Sequence, residues 1–147
     1  MSKLSIISIV LLRISLGWYL LYWGIVAFTT EGWSIASLLE NSDTFPEFYD
    51  AFSTPEMLNL LNTGFKIVLI AVGALLILGL FVRIVALIGA FIMLFLYFPL
   101  LKFPYVGTNQ IIVNDYFIYA IALVYLHAAR AGDYFSIKSL MHSRHHI

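Results

Sequence analysis

The chain has 147 residues, of which 62% are hydrophobic, 16% aromatic and 11% charged, and its mean hydropathy is +0.95. A water-soluble domain needs about 25% charged residues, so an ordinary soluble enzyme is excluded, and eight Lys/Arg balanced by eight Asp/Glu leave no net field to gather nucleic acid. A cysteine count of zero removes disulfide scaffolds, thiol relays, iron–sulfur clusters and Cys-based zinc sites.

The length suits one domain, 1–147, of about four membrane spans with a modest segment outside the lipid. The first apolar run, 4–28, makes roughly 37 Å of helix, enough to span, and only Arg13 interrupts it. It is too long for the apolar core of a signal peptide, and no small-x-small cleavage site follows Phe28. The segment 29–54 is too long for a plain connector and reads as a folded cap. Within it, Trp33 to Leu39 predicts an interfacial turn, because Trp favours the headgroup layer. Thr44 and Glu47 form a capping-box pattern, and Phe45, Phe48, Tyr49 and Phe52 recur on one stripe, as in a short amphipathic helix lying on the bilayer or the bundle mouth. Ser53 and Glu56 repeat the box, and Pro55 fits the first turn of the second span.

From Ile67 to Leu101 the chain is almost continuously apolar, about 52 Å as a single helix, which overshoots a hydrocarbon core of about 30 Å. It must therefore fold back, and Gly79 to Arg83 combines a flexible residue with the one charge in the stretch. This predicts spans over 55–82 and 84–98, with Pro99 and Pro104 ending the latter. The fourth span is expected over 111–131, before a polar tail, 132–147, that holds Lys138 and the loosely spaced His142, His145 and His146. No carboxylate or further ligand accompanies those histidines, so a solvated tail is the better reading. The predicted architecture is all-α: an integral membrane four-helix bundle with a short amphipathic-helix cap on the external side between helices 1 and 2.

Lys3, Arg83, Arg130, Lys138 and Arg144 flank the membrane on one face, against Lys102 alone on the other, so the positive-inside rule places both termini in the cytoplasm. The cap carries Glu31, Glu40, Asp43, Glu47, Asp50 and Glu56 with no Lys or Arg, in agreement with an external position.

A charge in hydrocarbon costs several kcal/mol unless it snorkels or finds a partner, which makes Arg13, Lys66 and Asp115 the first candidates for function. At 100° per residue, Arg13 shares a helix face with Gly17 and Gly24, Lys66 with Asn62 and Gly73, and Asp115 with Tyr119 and Ala122. Gly17, Gly24, Gly73 and Ala122 are the small residues that permit close helix packing. Lys66 and Asp115, both near external helix ends, are expected to pair in a vestibule lined by Asn62, Asn114 and Tyr119, or to snorkel separately. Arg13 approaches from the cytoplasmic third, where helix ends or Tyr hydroxyls are its alternative partners. His127 is the lone intramembrane histidine, so a six-coordinate haem lacks a second His ligand within this chain, and the alternative is one axial ligand to a tetrapyrrole held by a larger complex. No Ser–His–Asp set, acid–base carboxylate pair or glycine-rich phosphate loop is present.

Several segments together resemble the DoxX family of four-helix membrane proteins, which includes the DoxD-type small subunit of thiosulfate:quinone oxidoreductase. They are Leu11 to Trp18 (LLRISLGW) with Gly24, Trp33 to Leu39 with the Phe-rich cap, Gly73 to Arg83 (GALLILGLFVR), Ile112-Val113-Asn114, and Gly132 to Ile137. The chain departs from the family habit at Ala27, where a Lys is common, at Tyr119, where an acid is common, and at Ser136-Ile137-Lys138, where Gly-Leu-Asp is common. The resemblance implies a bundle in a prokaryotic plasma membrane, associated in some members with electron-transfer or redox-stress partners.

Two functions follow as expectations. In the first, the chain is a redox subunit that binds a quinone headgroup between its helices, Arg13 or Lys66 donating to the quinone oxygens and Tyr and Trp packing the ring. It has no electron carrier of its own, so any oxidation requires the quinone and partner subunits, and the acidic cap disfavours thiosulfate as its own substrate. In the second, it is a non-catalytic structural or assembly subunit of a larger electron-transfer or photosynthetic membrane complex, with Trp33, Phe45, Phe48, Tyr49 and Phe52 as the cap interface. A small transporter is a third class, supported by the intramembrane charges alone.

Overall fold

The computed structural model describes residues 2–108 and 110–134. The tail from residue 135 onward, with Ser136 to Lys138, His142, Arg144, His145 and His146, lies outside the described residues. Three described helices are long and apolar enough to cross a membrane: α1 (Lys3–Thr29), α4 (Pro55–Leu78) and α5 (Val82–Leu100). A further long helix, α6 (Asp115–Ala128), packs with them, and two short ones, α2 (Ala36–Glu40) and α3 (Pro46–Asp50), lie between α1 and α4.

Local chemistry sets these boundaries. Ser2 caps α1 by accepting the Ser5 N–H at 3.2 Å. Pro55 starts α4, where its missing N–H costs nothing, and Gly79 ends it in the left-handed region at φ 72°. Phe81, also left-handed at φ 50°, completes the reversal into α5. The fold-back expected at Gly79 to Arg83 is thus a three-residue turn over 79–81, and α5 begins at Val82.

Pro99 does not end α5, which continues to Leu100. A proline leaves the carbonyl four residues earlier without its helical donor, and here that carbonyl, of Phe95, accepts from the Tyr49 hydroxyl at 3.1 Å.

The fourth helix is shorter than the expected 111–131. Asn114 caps it, accepting the Phe117 N–H at 3.0 Å, and at the other end Arg130 turns left-handed at φ 50°. At 1.5 Å per residue its 14 residues make about 21 Å of helix. The chain before it forms a small antiparallel sheet that an all-α reading does not contain. Its strands β1 (Leu101–Lys102), β2 (Tyr105–Val106) and β3 (Gln110–Ile111) lie in sequence order, with Leu101 opposite Val106 and Tyr105 opposite Ile111.

α1 packs most extensively on α4, and α5 on α6, while α1 and α6 meet far less. The α1–α4 contact runs over glycine: a methyl group on Gly17 would sit 2.9 Å from the Gly73 carbonyl oxygen, and one on Gly24 would sit 2.8 Å from the Ile70 nitrogen. Leu16, Leu20, Leu76, Val85, Leu123 and Leu126 fill the shared core.

Neither expected capping box forms. Phe45 occupies the N-cap of α3 in the left-handed region at φ 56°, which displaces Thr44, whose hydroxyl donates to the Leu101 carbonyl. The Ser53 hydroxyl donates to the Tyr49 carbonyl at 3.2 Å, and Thr54, not Ser53, precedes α4. Five residues make little more than one turn, too short to hold the aromatic stripe on one face. Tyr49 is buried, whereas Phe45 and Phe48 are 62% and 53% exposed. With Ile35, Leu39, Trp33 and Phe52, Tyr49 forms a second core that rests on Phe65 and Phe95.

Candidate functional site

At the end of the bundle that carries α2 and α3, the helices enclose a cavity of about 210 Å³. Its buried side is apolar, made by Leu20 of α1, Leu69 of α4 and Met93 of α5. Tyr19 and Trp23, one helical turn apart on α1, face Tyr116 in the first turn of α6. Phe65 of α4 and Leu96 of α5 complete the helical walls, and the turn Trp33-Ser34-Ile35, with Leu38, closes the cavity from above.

That turn is held by α4. The Asn62 side-chain oxygen accepts the Ile35 N–H at 3.0 Å, and its nitrogen donates to the Ser34 hydroxyl at 3.0 Å. One turn further along, the Lys66 ammonium stands 5.4 Å from the centre of the Trp33 ring, within cation–π range. Tyr119 supports the opposite wall, its ring 4.5 Å from that of Tyr19. Asn62, Lys66 and Tyr119 therefore stand behind residues of the cavity wall rather than in it.

Lys66 and Asp115 do not form the expected ion pair; among the described residues the ion pair is Lys102–Asp43, at 3.0 Å on the surface. Asp115 is exposed in the first turn of α6, where a carboxylate complements the positive end of the helix. Asn114 is buried as the cap of that helix. Arg13 is 1% exposed and lies toward the other end of the bundle, about 9 Å of helix rise below Tyr19. Its guanidinium donates to the Ala131 carbonyl at 2.8 Å and to the Tyr134 carbonyl at 2.9 Å, fixing the turn that follows α6. His127 Nδ1 lies 2.9 Å from the Arg83 carbonyl, which ties α6 to the start of α5. Among the described residues no three His, Asp or Glu side chains gather as a metal site.

The cavity lining contains no charged side chain. Its polar groups are the hydroxyls of Tyr19, Tyr116 and Ser34 and the indole N–H groups of Trp23 and Trp33, all able to donate. Such a lining accommodates a neutral flat molecule with acceptor oxygens. An apolar cavity of about 150 Å³ holds a benzene ring, so this one has the size for a substituted six-membered ring. A search for intramembrane charges passes over Tyr19, Trp23 and Tyr116; the usable signal is the pairing of Tyr19 with Trp23 on one face and of Tyr116 with Tyr119 on another.

Comparison with curated proteins and with solved structures returns no match. The DoxX family model matches residues 8–100, which take in most of α1 and all of α2, α3, α4 and α5, and with them every cavity-lining residue except Tyr116. That match covers most of the chain, and the chain belongs to the DoxX family.

Proposed function

We propose that this DoxX protein is a four-span subunit of a prokaryotic plasma membrane that binds the ring of a quinone in the cavity beneath the Trp33-Ser34-Ile35 turn. α6 serves as the fourth span, α2 and α3 form an external cap, and both termini face the cytoplasm. The observation that carries the reading is the cavity itself, about 210 Å³, uncharged and walled by Tyr19, Trp23, Trp33 and Tyr116. Ring stacking on these aromatics and hydrogen bonds from their O–H and N–H groups suit a ring with carbonyl oxygens. The quinone supplies the redox chemistry when bound. The chain's own residues exclude water, orient the ring and donate to its oxygens, so turnover belongs to the assembled complex. Arg13 has no part in the site, and Lys66 acts through Trp33.

The test is quenching of tryptophan emission by a tailless dimethoxy-methyl-benzoquinone, with the protein in lipid nanodiscs. Trp23 and Trp33 line the cavity and Trp18, 63% exposed, does not, so a Trp18→Phe variant keeps the two reporters. A saturable component that is lost in a Leu69→Phe, Met93→Phe variant, which narrows the cavity without adding a tryptophan, supports the reading. Linear quenching, the same in both proteins, overturns it.

A second reading, a non-catalytic assembly subunit, is favoured by Phe45 and Phe48, which point outward from the cap at 62% and 53% exposure. It expects stoichiometric co-purification with other membrane subunits in mild detergent, lost in a Phe45→Ser, Phe48→Ser variant.

A further inference from the structure

The four long helices are not sealed against one another equally. Glycine contacts close α1 against α4, and α5 lies along α6, but α1 and α6 meet much less. Two voids among the described residues have walls from both α1 and α6. The cavity described above is walled on that side by Tyr19 and Trp23 of α1 and Tyr116 of α6. A second groove, of about 330 Å³, lies lower down, lined by Leu4, Ser5, Ser8, Ile9 and Leu12 of α1 and Tyr125 of α6. Between the two stands the contact of Tyr19 with Tyr119.

From Leu12 to Trp23 the seam rises about 16 Å, within the apolar length of α1. Its flanks, Trp23 and Tyr125, are 45% and 51% exposed. The upper cavity has room for a ring and little more, so a longer molecule has to leave it, and the groove lower on the same seam offers Leu4, Ile9 and Leu12 to a tail.

We infer that the α1–α6 seam is a lateral portal from the bilayer, and that the ligand is an amphiphile whose flat ring occupies the upper cavity while its aliphatic tail runs down the seam, past Tyr119, into the groove beside Ser8 and Leu12. The ligand is thus drawn from the membrane rather than from water, and the lower groove selects for a tail. The inference rests on the ring-binding reading above. It adds that most of the selectivity for a tailed over a tailless ring comes from α1 residues far from the ring.

The experiment compares the tailless benzoquinone with the same ring bearing a ten-carbon tail, using the full chain with Trp18→Phe in nanodiscs and counting probe per lipid so that partitioning cancels. Ser8→Phe fills the groove from an exposed position of α1, and Leu11→Phe, at a position outside it, is the control. The expected result is a tail preference of at least tenfold, kept in Leu11→Phe and reduced below threefold in Ser8→Phe, with tailless binding unchanged in all three. Equal binding of both probes, or equal loss of both in Ser8→Phe, overturns the portal while the cavity stands. Saturable binding of neither probe removes the cavity reading itself. A diazirine at the tail end gives an independent readout in the chain with native Ser8: label on Leu4 to Leu12 or Tyr125 agrees with the inference, and label on the 31–54 cap overturns it.

Discussion

The Tyr49 hydroxyl stands in for the amide that Pro99 lacks. It donates at 3.1 Å to the Phe95 carbonyl, the group that a non-proline residue at position 99 would have bonded in the helix. α3 and the third long helix thereby share one hydrogen bond, so loosening one loosens the other.

Tyr49→Phe should cost about 1 kcal/mol and expose the last turn of α5 to faster amide exchange. Burial also pushes the Tyr49 phenol above its ordinary 10.0. A raised value in the fold means that the stabilisation is complete below the unfolded-state value and fades as pH climbs through the raised one. The stability difference between the parent protein and the Tyr49→Phe variant should therefore be constant below about pH 9 and shrink above about pH 10. A gap that widens in alkali would contradict this account.

Gly73→Ala should destabilise the bundle by about 1–3 kcal/mol, because a methyl group there would lie 2.7 Å from the Gly17 carbonyl oxygen and closer still to the Leu21 nitrogen. Backbone atoms cannot swing aside as side chains do. Gly64→Ala on the same helix meets nothing within 4 Å and should stabilise by up to about 1 kcal/mol through helix propensity. Denaturation of the two variants in mixed micelles separates close packing from propensity.

Removing the guanidinium by Arg13→Ala should cost about 3 kcal/mol through two charge-assisted hydrogen bonds and release the turn Ala131–Asp133 from α1. Hydrogen exchange at Ala131 to Tyr134 should rise at least tenfold, while quinone quenching of Trp23 and Trp33 stays near the parent value. Lost quenching with unchanged exchange would instead put Arg13 in the ligand site.

Asn62→Leu should free the turn over the cavity, leaving the Ile35 N–H without its acceptor at a cost of about 1–3 kcal/mol. With Trp33 as the sole tryptophan, its emission should shift to the red. Asn62→Asp keeps the acceptor for Ile35 and loses the donor to Ser34, so its shift should be about half as large.

Three helices long and apolar enough to span, and their order, were legible because length and apolar continuity are properties of composition. The reversal at Gly79 was legible because glycine is the residue that adopts a left-handed turn without strain. What resisted reading was any choice between competing hydrogen-bond partners. Thr44 and Glu47 match a capping box, yet Thr44 donates to Leu101, a residue 57 positions away. Pro99 reads as a stop, yet α5 runs one residue past it, and the carbonyl it orphans takes a hydroxyl from another helix. For the candidate site, charge pointed to Arg13, Lys66 and Asp115, but a buried charge satisfied by backbone carbonyls, a cation over a ring and an acid at a helix start are structural uses of the same residue types. The aromatic wall carries no charge, and which aromatics meet depends on helix pairing that one sequence does not print.

The shortness of α6 has a consequence for the lipid around it. At about 21 Å it falls some 9 Å short of an average hydrocarbon thickness, and the exposed Ile111, Ile112 and Val113 that precede it are not helical: Ile111 pairs in β3 and Ile112 is left-handed at φ 61°. With α6 as the proposed fourth span, acyl chains alongside it would compress where those beside α1 need not. A protein with one thin flank pinches the bilayer asymmetrically and settles preferentially in thinner membranes.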